Sequence, residues 1–412
     1  MSDSDLFHYQ LEALAPLVFR SGKPFGVNAG ADGAAFPLPS SLAGLLRSLW
    51  AEQQGQAFSP ELNQITSYGP LLAWREQDNT LIPLAPAPAD AQYVTVQPDK
   101  KNGQTDAQQT PKVIIRRRCP QPLPNTMGCD LAAGLLPVWS SEDLEQNPGK
   151  PAPGPQYWPL AELARWSQGE NICLDALNAN GLITLTDSVR THVAIAPDSQ
   201  AAADGQLFQT AGLDLAPQRQ ADGSWATREL VWLASTPKPL ASRLATFGGE
   251  RRLSRLHPLD AHAAPAHWLR PCEDQIANIL AQGGLRLTLL TPALFANGHL
   301  PGWLSANPAD GSLSGQPPGC SNLRLTLRAV ASHGWQAVSG WDLAEQKPRA
   351  ARKALKAGAV LWFALDNPAQ LSAEALRPLL RQLWTQPLSD RSQDQRDGFG
   401  LALPAAWTPP SA

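Results

Sequence analysis

A chain of 412 residues with 43% hydrophobic and 17% charged residues has the length of two domains and the apolar content for a packed core, which excludes a disordered polyelectrolyte. A formal net charge of −3 excludes a globally basic nucleic-acid coat, so any contact with a polyanion must come from local clusters. The 39 prolines, near twice the usual share of about 5%, exclude a plain helical bundle.

The N-terminus, Met1-Ser2-Asp3-Ser4-Asp5, is acidic with no apolar run behind it, so no secretory signal is expected. No stretch approaches the roughly 18 uninterrupted apolar residues of a membrane span, and no membrane contact is expected. Residues 6–19 read as a first strand, followed by a Gly-rich loop from Ser21 to Gly33. Pro39 with Ser40 or Ser41 signals a helix start. Leu42, Leu45, Leu46, Leu49 and Trp50 then share one helical face, with Arg47 off it. Residues 70–84 read as two short strands around Gln77-Asp78-Asn79. The extended runs Tyr93–Val96 and Lys112–Arg118 flank a polar loop, so 85–130 is expected to form a long projecting hairpin. The Pro/Gly-rich stretch 146–156 is expected to be irregular. Leu160–Trp166 reads as a short helix, and 189–195 and 206–215 as extended segments joined by a polar turn.

The last third is more regular. Leu285, Leu287 and Leu289 alternate with Arg286 and Thr288, and Leu323, Leu325 and Leu327 alternate with Arg324, Thr326 and Arg328. Period two predicts half-buried strands. A helix is expected near Pro292–Phe295, a third strand over Ala359–Leu365, a helix through Leu376, Leu379, Leu380, Leu383 and Trp384 that Pro378 should kink or shorten, and a fourth strand over Phe399–Leu403. The order β-α-β-β-α-β is the ferredoxin-like arrangement. The first half reads the same way with large insertions. The expected class is α+β, with an N-terminal domain over 1–275 and a C-terminal domain over 285–412.

The chain has no phosphate-binding P-loop, no G-x-S-x-G elbow and no H-E-x-x-H. The five cysteines (Cys119, Cys129, Cys173, Cys272 and Cys320) are odd in number and contain no C-x-x-C pair, so reduced thiols in a cytoplasmic setting are expected. His257, His262 and His267 surround Asp260, but Pro258 and Pro265 break any helix between them, and no metal site is expected. His8 and His192, on expected strands, are the only candidates for acid–base work. The basic clusters say more. Lys347, Arg349, Arg352, Lys353 and Lys356 place five cations in ten residues with no acid among them. Arg251, Arg252 and Arg255 follow Gly248-Gly249, Arg116-Arg117-Arg118 end the hairpin, and Arg20 and Lys23 lie in a loop with Gly22 and Gly26. Cations suit phosphates and glycines let backbone N–H groups approach an anion, so this segregation points to a polyanion groove. Fourteen tryptophans against four tyrosines is unusual; most are expected to serve packing, although Trp can stack on a base.

Seven strings carry a resemblance: PLVFRSGKPFG (16–26), FPLPSSLAGLLRS (36–48), RTHVAIAPDSQAAADGQLFQT (190–210), FGGERRL (247–253), LTLLTPALFANGHLPGW (287–303), VSGWDLAEQKPRAARKALKAGAVLWF (338–363) and DGFGLAL (397–403). In this order they resemble the third subunit of the Cmr complex, the type III-B CRISPR effector, a family of the RAMP superfamily built from two ferredoxin-like, RNA-recognition-type domains. The resemblance implies a non-catalytic subunit without cofactor that caps the 5′ end of the complex. It would hold the repeat-derived 5′ handle of the CRISPR RNA (crRNA), dock to the large polymerase-like subunit and to backbone subunits, and meet target RNA only indirectly. Carried over by motif, the RNA-binding residues are Arg20, Lys23, Gly26, Ser40, Ser41, Arg47, Arg190, Arg251, Arg252, Lys347, Arg349, Gly398 and Gly400. The 85–130 hairpin stands as the candidate for the family's thumb, which kinks the guide–target duplex. Two other readings stay open: a metal-independent RNA endonuclease acting on CRISPR precursor RNA through His8 and His192, and a pure protein–protein adaptor.

Overall fold

The computed structural model describes residues 6–19, 34–96, 112–123, 127–140, 149–217, 223–260, 273–320, 322–342, 347–385 and 387–410. The chain is a mixed α/β protein of several antiparallel sheets. It opens with β1 (Phe7–Ala13), α1 (Pro39–Gln53), β2 (Tyr68–Arg75) and β3 (Leu81–Pro86). Next come β4 (Ala91–Val96), β5 (Lys112–Pro120), β6 (Val138–Ser140) and β7 (Gly149–Pro151), which form their own sheet in the order β6-β5-β4-β7. β8 (Tyr157–Pro159) leads into α2 (Leu160–Ser167) and α3 (Leu174–Asn180). β9 (Thr186–Ile195) and β10 (Ala202–Asp214) pair as a two-stranded ribbon. β11 (Glu229–Thr236), β12 (Arg243–Thr246) and β13 (Leu253–Leu259) complete a seven-stranded sheet, β12-β13-β1-β11-β2-β3-β8.

The C-terminal part begins with α4 (Glu273–Gln282), β14 (Gly284–Leu289), β15 (Ser305–Ala306), β16 (Leu313–Gly315) and β17 (Leu325–Ala331). β18 (Trp335–Val338), β19 (Trp341–Asp342), β20 (Lys347–Pro348) and β21 (Arg352–Leu355) form a second ribbon, β18 pairing with β21 and β19 with β20. β22 (Val360–Leu365), α5 (Ala373–Thr385), α6 (Ser392–Asp397) and β23 (Ala402–Ala406) close the chain, and the sheet runs β15-β16-β17-β22-β14-β23.

Both large sheets contain the same four-strand core. Counted along the chain, β1, β2, β11 and β13 lie in the spatial order fourth-first-third-second, and so do β14, β17, β22 and β23. The two cores differ in their helices. The first carries α1 between its first and second strands and no helix over 237–252; the second carries α5 and α6 between its third and fourth strands, and none among the described residues of 290–324. Each core therefore has only one of the two helical crossovers that β-α-β-β-α-β requires.

The apolar periodicity explains the packing. Leu42, Leu45, Leu46 and Leu49 of α1 bury against Tyr9, Leu11, Leu72, Trp232 and Leu256 of the first sheet. Each such leucine contributes about 1.5–3 kcal/mol of transfer free energy. Leu285, Leu287 and Leu289 face Ile276 and Ile279 of α4 and Leu376, Leu379 and Leu380 of α5. The reverse faces of the two sheets meet elsewhere: Leu71, Ala73, Val231 and Leu233 pack with Leu290, Leu401 and Leu403.

Several expectations need correction. Residues 292–295 are not helical: Ala293 and Leu355 exchange backbone hydrogen bonds of 3.0 and 2.8 Å, and Leu290, Leu294 and Phe295 point into three different clusters, so no single helical face exists. Gly149–Pro151 within the Pro/Gly-rich stretch pairs with β4 as an edge strand, where proline's missing N–H is tolerated. Pro378 does not shorten its helix, which runs to Thr385. The last strand starts at Ala402 because Ser392–Asp397 is helical and Gly398 and Gly400 turn the chain at φ 95° and 92°. β14 is buried on both faces, not one. Its polar face closes around a guanidinium: Arg286 donates to Asp90 Oδ2 at 2.8 Å and to Thr288 Oγ1 at 2.7 Å, and also bonds Ser167. Trp166 Nε1 donates to the other Asp90 oxygen at 3.0 Å.

Asp90→Ala should cost about 3–5 kcal/mol in urea unfolding, because it strands the buried Arg286 charge, and Asp90→Leu with Arg286→Met should cost much less. A second prediction concerns Tyr93, which donates to the Pro155 carbonyl at 2.8 Å and accepts from Trp158 Nε1 at 2.6 Å. Burial pushes its hydroxyl from an ordinary 10.0 up to about 12. Unfolding releases this proton more readily, so the stabilisation is complete below pH 10 and lost as pH rises through about 12. Tyr93→Phe should flatten that part of a stability–pH curve.

Candidate nucleic-acid interface

The sequence-derived candidates fall into two groups. The first surrounds a small apolar cluster of Leu294, Val338, Ala354 and Phe399, against which Leu38 packs. Leu38 is the N-cap of α1 and Pro39 its first residue, so the helix starts without a side-chain cap and without an acid in its first turn. Ser40 and Ser41 stand half-buried on that turn. Beside it lies the second ribbon. Its inner face contributes Val338 and Ala354 to the cluster, while Lys347, Arg349, Trp335 and Trp341 are exposed. The loop holding Arg349 is fixed by its backbone: Arg349 N donates to the Gly340 carbonyl at 2.8 Å, and Ser339 Oγ donates to the Arg349 carbonyl at 3.1 Å. Lys353 Nζ sits 4.7 Å from the centroid of the Trp335 ring, a cation–π pair at the surface.

Two arginines fasten this group to α6. Arg352 grips Asp394 with both terminal nitrogens, at 2.7 and 2.6 Å, and that contact raises its pKa above the ordinary arginine value. Arg47 is only 4% exposed. It donates to Asp397 Oδ1 at 2.6 Å and, twice, to the Ile65 carbonyl at 3.0 and 2.7 Å. Arg47 lies off the leucine face of α1, as the spacing says, yet it is enclosed by the 63–65 segment and α6 on the other side of the helix. Its guanidinium thus serves an internal ion pair. Gly398 and Gly400 are also internal. A Cβ on Gly398 would stand 2.8 Å from the Ser67 carbonyl, and one on Gly400 2.7 Å from the Ser389 nitrogen, so close backbone packing demands glycine at both.

The second group gathers where residues 17–19 cross the first sheet. Gly249 N donates to the Val18 carbonyl at 2.7 Å, and the Phe19 and Phe247 rings meet edge to face at 4.9 Å. Gly248, at φ 83°, has no room for a Cβ, which would lie 2.6 Å from the Val18 carbonyl. The turn places Arg251 in solvent and Arg252 in an ion pair with Glu250 at 2.7 Å. Leu17 also bridges to Leu213 at the base of the first ribbon, on which Arg190 is exposed opposite Thr210. Arg20, Lys23 and Gly26, which follow directly, lie outside the described residues, as do His262, His267 and Cys272.

Of the two candidate histidines, His8 is buried with Nδ1 2.7 Å from Ser235 Oγ, and His192 has Nε2 2.8 Å from Thr210 Oγ1 and stacks on Phe208. They belong to different sheets. Trp335 and the carboxylates Asp394 and Asp397 were not legible as parts of this site. Trp335 joins Lys353 only through the register of β18 on β21, and the acids sit 42 and 350 residues from their arginines.

These features define a multi-sheet α/β protein with an exposed ribbon of cations and tryptophans beside an uncapped helix start. The model of the CRISPR-associated protein family Cas_Cmr3 matches residues 9–407, and the chain belongs to that family. Among curated proteins, none matches. Two solved structures are similar, both cryo-EM structures of the type III-B Cmr-β complex. One, bound to cognate target RNA and AMPPnP, contains a chain 13% identical with a TM-score of 0.44, covering 86% of each chain. The other, bound to cognate target RNA, contains a chain 13% identical with a TM-score of 0.45, covering 95% of each.

Arg47→Ala should lower stability by about 3–5 kcal/mol in chemical unfolding by leaving Asp397 buried and unpaired. Lys347→Ala and Arg349→Ala should each shift it by no more than about 0.5 kcal/mol, the usual effect of a surface substitution.

Proposed function

We propose that this protein is the non-catalytic subunit of a type III-B CRISPR effector that caps its 5′ end by holding the repeat-derived 5′ handle of the crRNA. The observation that carries the reading is the second ribbon, where Lys347, Arg349 and Lys353 are exposed beside the solvent-facing Trp335 and Trp341, next to the first turn of α1. Cations neutralise phosphates, and indole faces stack on unpaired bases, which is the chemistry single-stranded RNA requires. Ser40 and Ser41 offer hydroxyls on the same side, and Arg190 and Arg251 offer a second set of exposed cations. Arg47, Gly398 and Gly400 support this surface from inside, and Arg20, Lys23 and Gly26 complete the proposed contact set. In this reading the chain docks to the large polymerase-like and backbone subunits and meets target RNA only indirectly, in a cytoplasmic antiviral complex without cofactor; the family match supports its membership of such an effector. In this reading the two sheets are ferredoxin-like units, each having lost one helix.

The first ribbon is a second candidate for the projecting element of such a subunit beside the 85–130 hairpin, whose loop 97–111 lies outside the described residues. β4 and β5 do pair as expected, but they are built into a four-stranded sheet whose Val138 packs with Ala329 and Trp362. The β9–β10 ribbon instead leaves Val189, Val193, Leu207 and Phe208 exposed. The endonuclease reading receives no support from His8, which is enclosed, or from its separation into a different sheet from His192.

Filter binding of the purified chain to a synthetic RNA carrying the handle tests the proposal. Lys347→Ala with Arg349→Ala should weaken binding about tenfold or more, and should flatten the dependence of log K on log salt by about 0.7 per lost phosphate contact. Unchanged affinity and unchanged slope would remove the ribbon from the interface. A single specific cut in a repeat hairpin incubated with the chain would replace the non-catalytic reading by the endonuclease one.

A further inference from the structure

The outer edge of the first sheet is built to accept a strand. β12 ends the sheet order, and the opposite end is closed by the Tyr157–Leu182 bridge. Phe247 N donates to the Arg252 carbonyl at 3.0 Å, which makes 247/252 a hydrogen-bonded pair. Such pairs alternate along an antiparallel ladder. Ala245/Ser254 and Arg243/Leu256 are therefore bonded inward, and the N–H and C=O groups of Leu244 and Thr246 point away from β13. No described residue takes them. Natural edges are normally blunted by proline, by bulges or by charges. Pro258 does this where β13 runs beyond β12, whereas 244–246 carries none of these devices.

The face next to this edge is apolar. The register places Leu14, Leu253 and Thr246 in one row across the sheet and Glu12, Arg255 and Leu244 in the next. Leu14, Leu244 and Leu253 are 42%, 51% and 46% exposed. Arg255 stands among them, exposed and with no acidic partner among the described residues, because Glu12 beside it turns to Arg75 and His257 at 3.7 and 3.4 Å. Arg243 faces the other side of the sheet, paired with Glu52 at 2.8 Å.

We infer that this edge docks an extended segment of a partner protein, which adds as an antiparallel or parallel strand to β12, lays apolar side chains on Leu244, Leu253 and Leu14, and offers a carboxylate to Arg255. Open backbone groups supply the binding and alternate side chains supply the specificity, as in strand addition generally. Leucines flanking a single cation favour an acidic, apolar polypeptide over RNA. This inference is independent of the ribbon's role in RNA binding.

The full chain is titrated against a fluorescein-labelled (Val-Glu)5 peptide by fluorescence anisotropy, with (Val-Lys)5 as control. Saturable binding of the acidic peptide is expected, with the control about tenfold weaker or worse. Leu244→Pro removes only an outward N–H and keeps the ladder to β13, so it should abolish binding while thermal unfolding stays within a few degrees. Arg255→Glu should invert the preference between the two peptides. No saturable binding, or binding that survives Leu244→Pro, overturns the inference. Self-association in sedimentation that Leu244→Pro abolishes would make a second copy of this chain the occupant and overturn the acidic-partner assignment. Displacement of the peptide by a poly-uridine oligonucleotide would assign the face to RNA and overturn it equally.

Discussion

The assembly of this chain turns on two buried guanidinium–carboxylate pairs that join distant parts of the sequence. Arg286 with Asp90 and Arg47 with Asp397 are each 5% exposed or less at both partners' side chains. A charge taken out of water costs several kcal/mol, and only a close partner with further hydrogen bonds offsets it. Both sites meet that requirement. Arg286 has Ser167 and Thr288 as additional acceptors, and Arg47 has the Ile65 carbonyl. Leu71, Val231, Leu290 and Leu403 pack together between the two sheets. The ion pairs add directional contacts, and removing one partner leaves an uncompensated buried charge.

That arrangement also sorts the cations. Net charge near zero conceals three populations of basic residues. Arg47 and Arg286 are internal. Arg352 and Arg252 are held at the surface by Asp394 and Glu250. Lys347, Arg349, Lys353, Arg190, Arg251 and Arg255 reach solvent. Paired arginines give shape to the ribbon and the Gly248 turn, while the exposed ones give those surfaces their potential. Arg117 is half-buried: its guanidinium lies over the Trp166 ring at 3.5 Å and donates to the carbonyls of Trp166 and Glu170.

What could be read from the sequence was local or periodic. The leucine spacing of α1 and the alternation in β17 each report a buried face, and both faces lie where the spacing puts them. The Tyr93 and Lys112 runs pair in the expected hairpin. What could not be read depends on partners far along the chain. Nothing around Arg286 announces Asp90, so its strand was expected to show a wet face. Nothing around Pro292–Phe295 announces that Leu355 claims the backbone of Ala293, and the helix expected there does not form. The same holds at the site. A run of cations is visible in one dimension, but that Asp394 holds Arg352 while Lys347 and Arg349 reach solvent is decided by the fold. The glycines at 398 and 400 looked suited to a phosphate's approach and instead admit the carbonyl of Ser67 and the backbone of Ser389.

The pairing of Arg47 with Asp397 has a consequence for how the chain is made. The partners are 350 residues apart, and Gly398, which rests on Ser67, is also far from it along the chain. During synthesis, α1 and β2 are made long before Asp397 and Gly398, which pack against them. Contacts of such sequence separation form slowly and late. The strands of the first sheet are all made by Leu259, whereas the Arg47–Asp397 pair cannot form until α6 has been made. A chain that stops before Asp397 carries Arg47 without the carboxylate that offsets its burial.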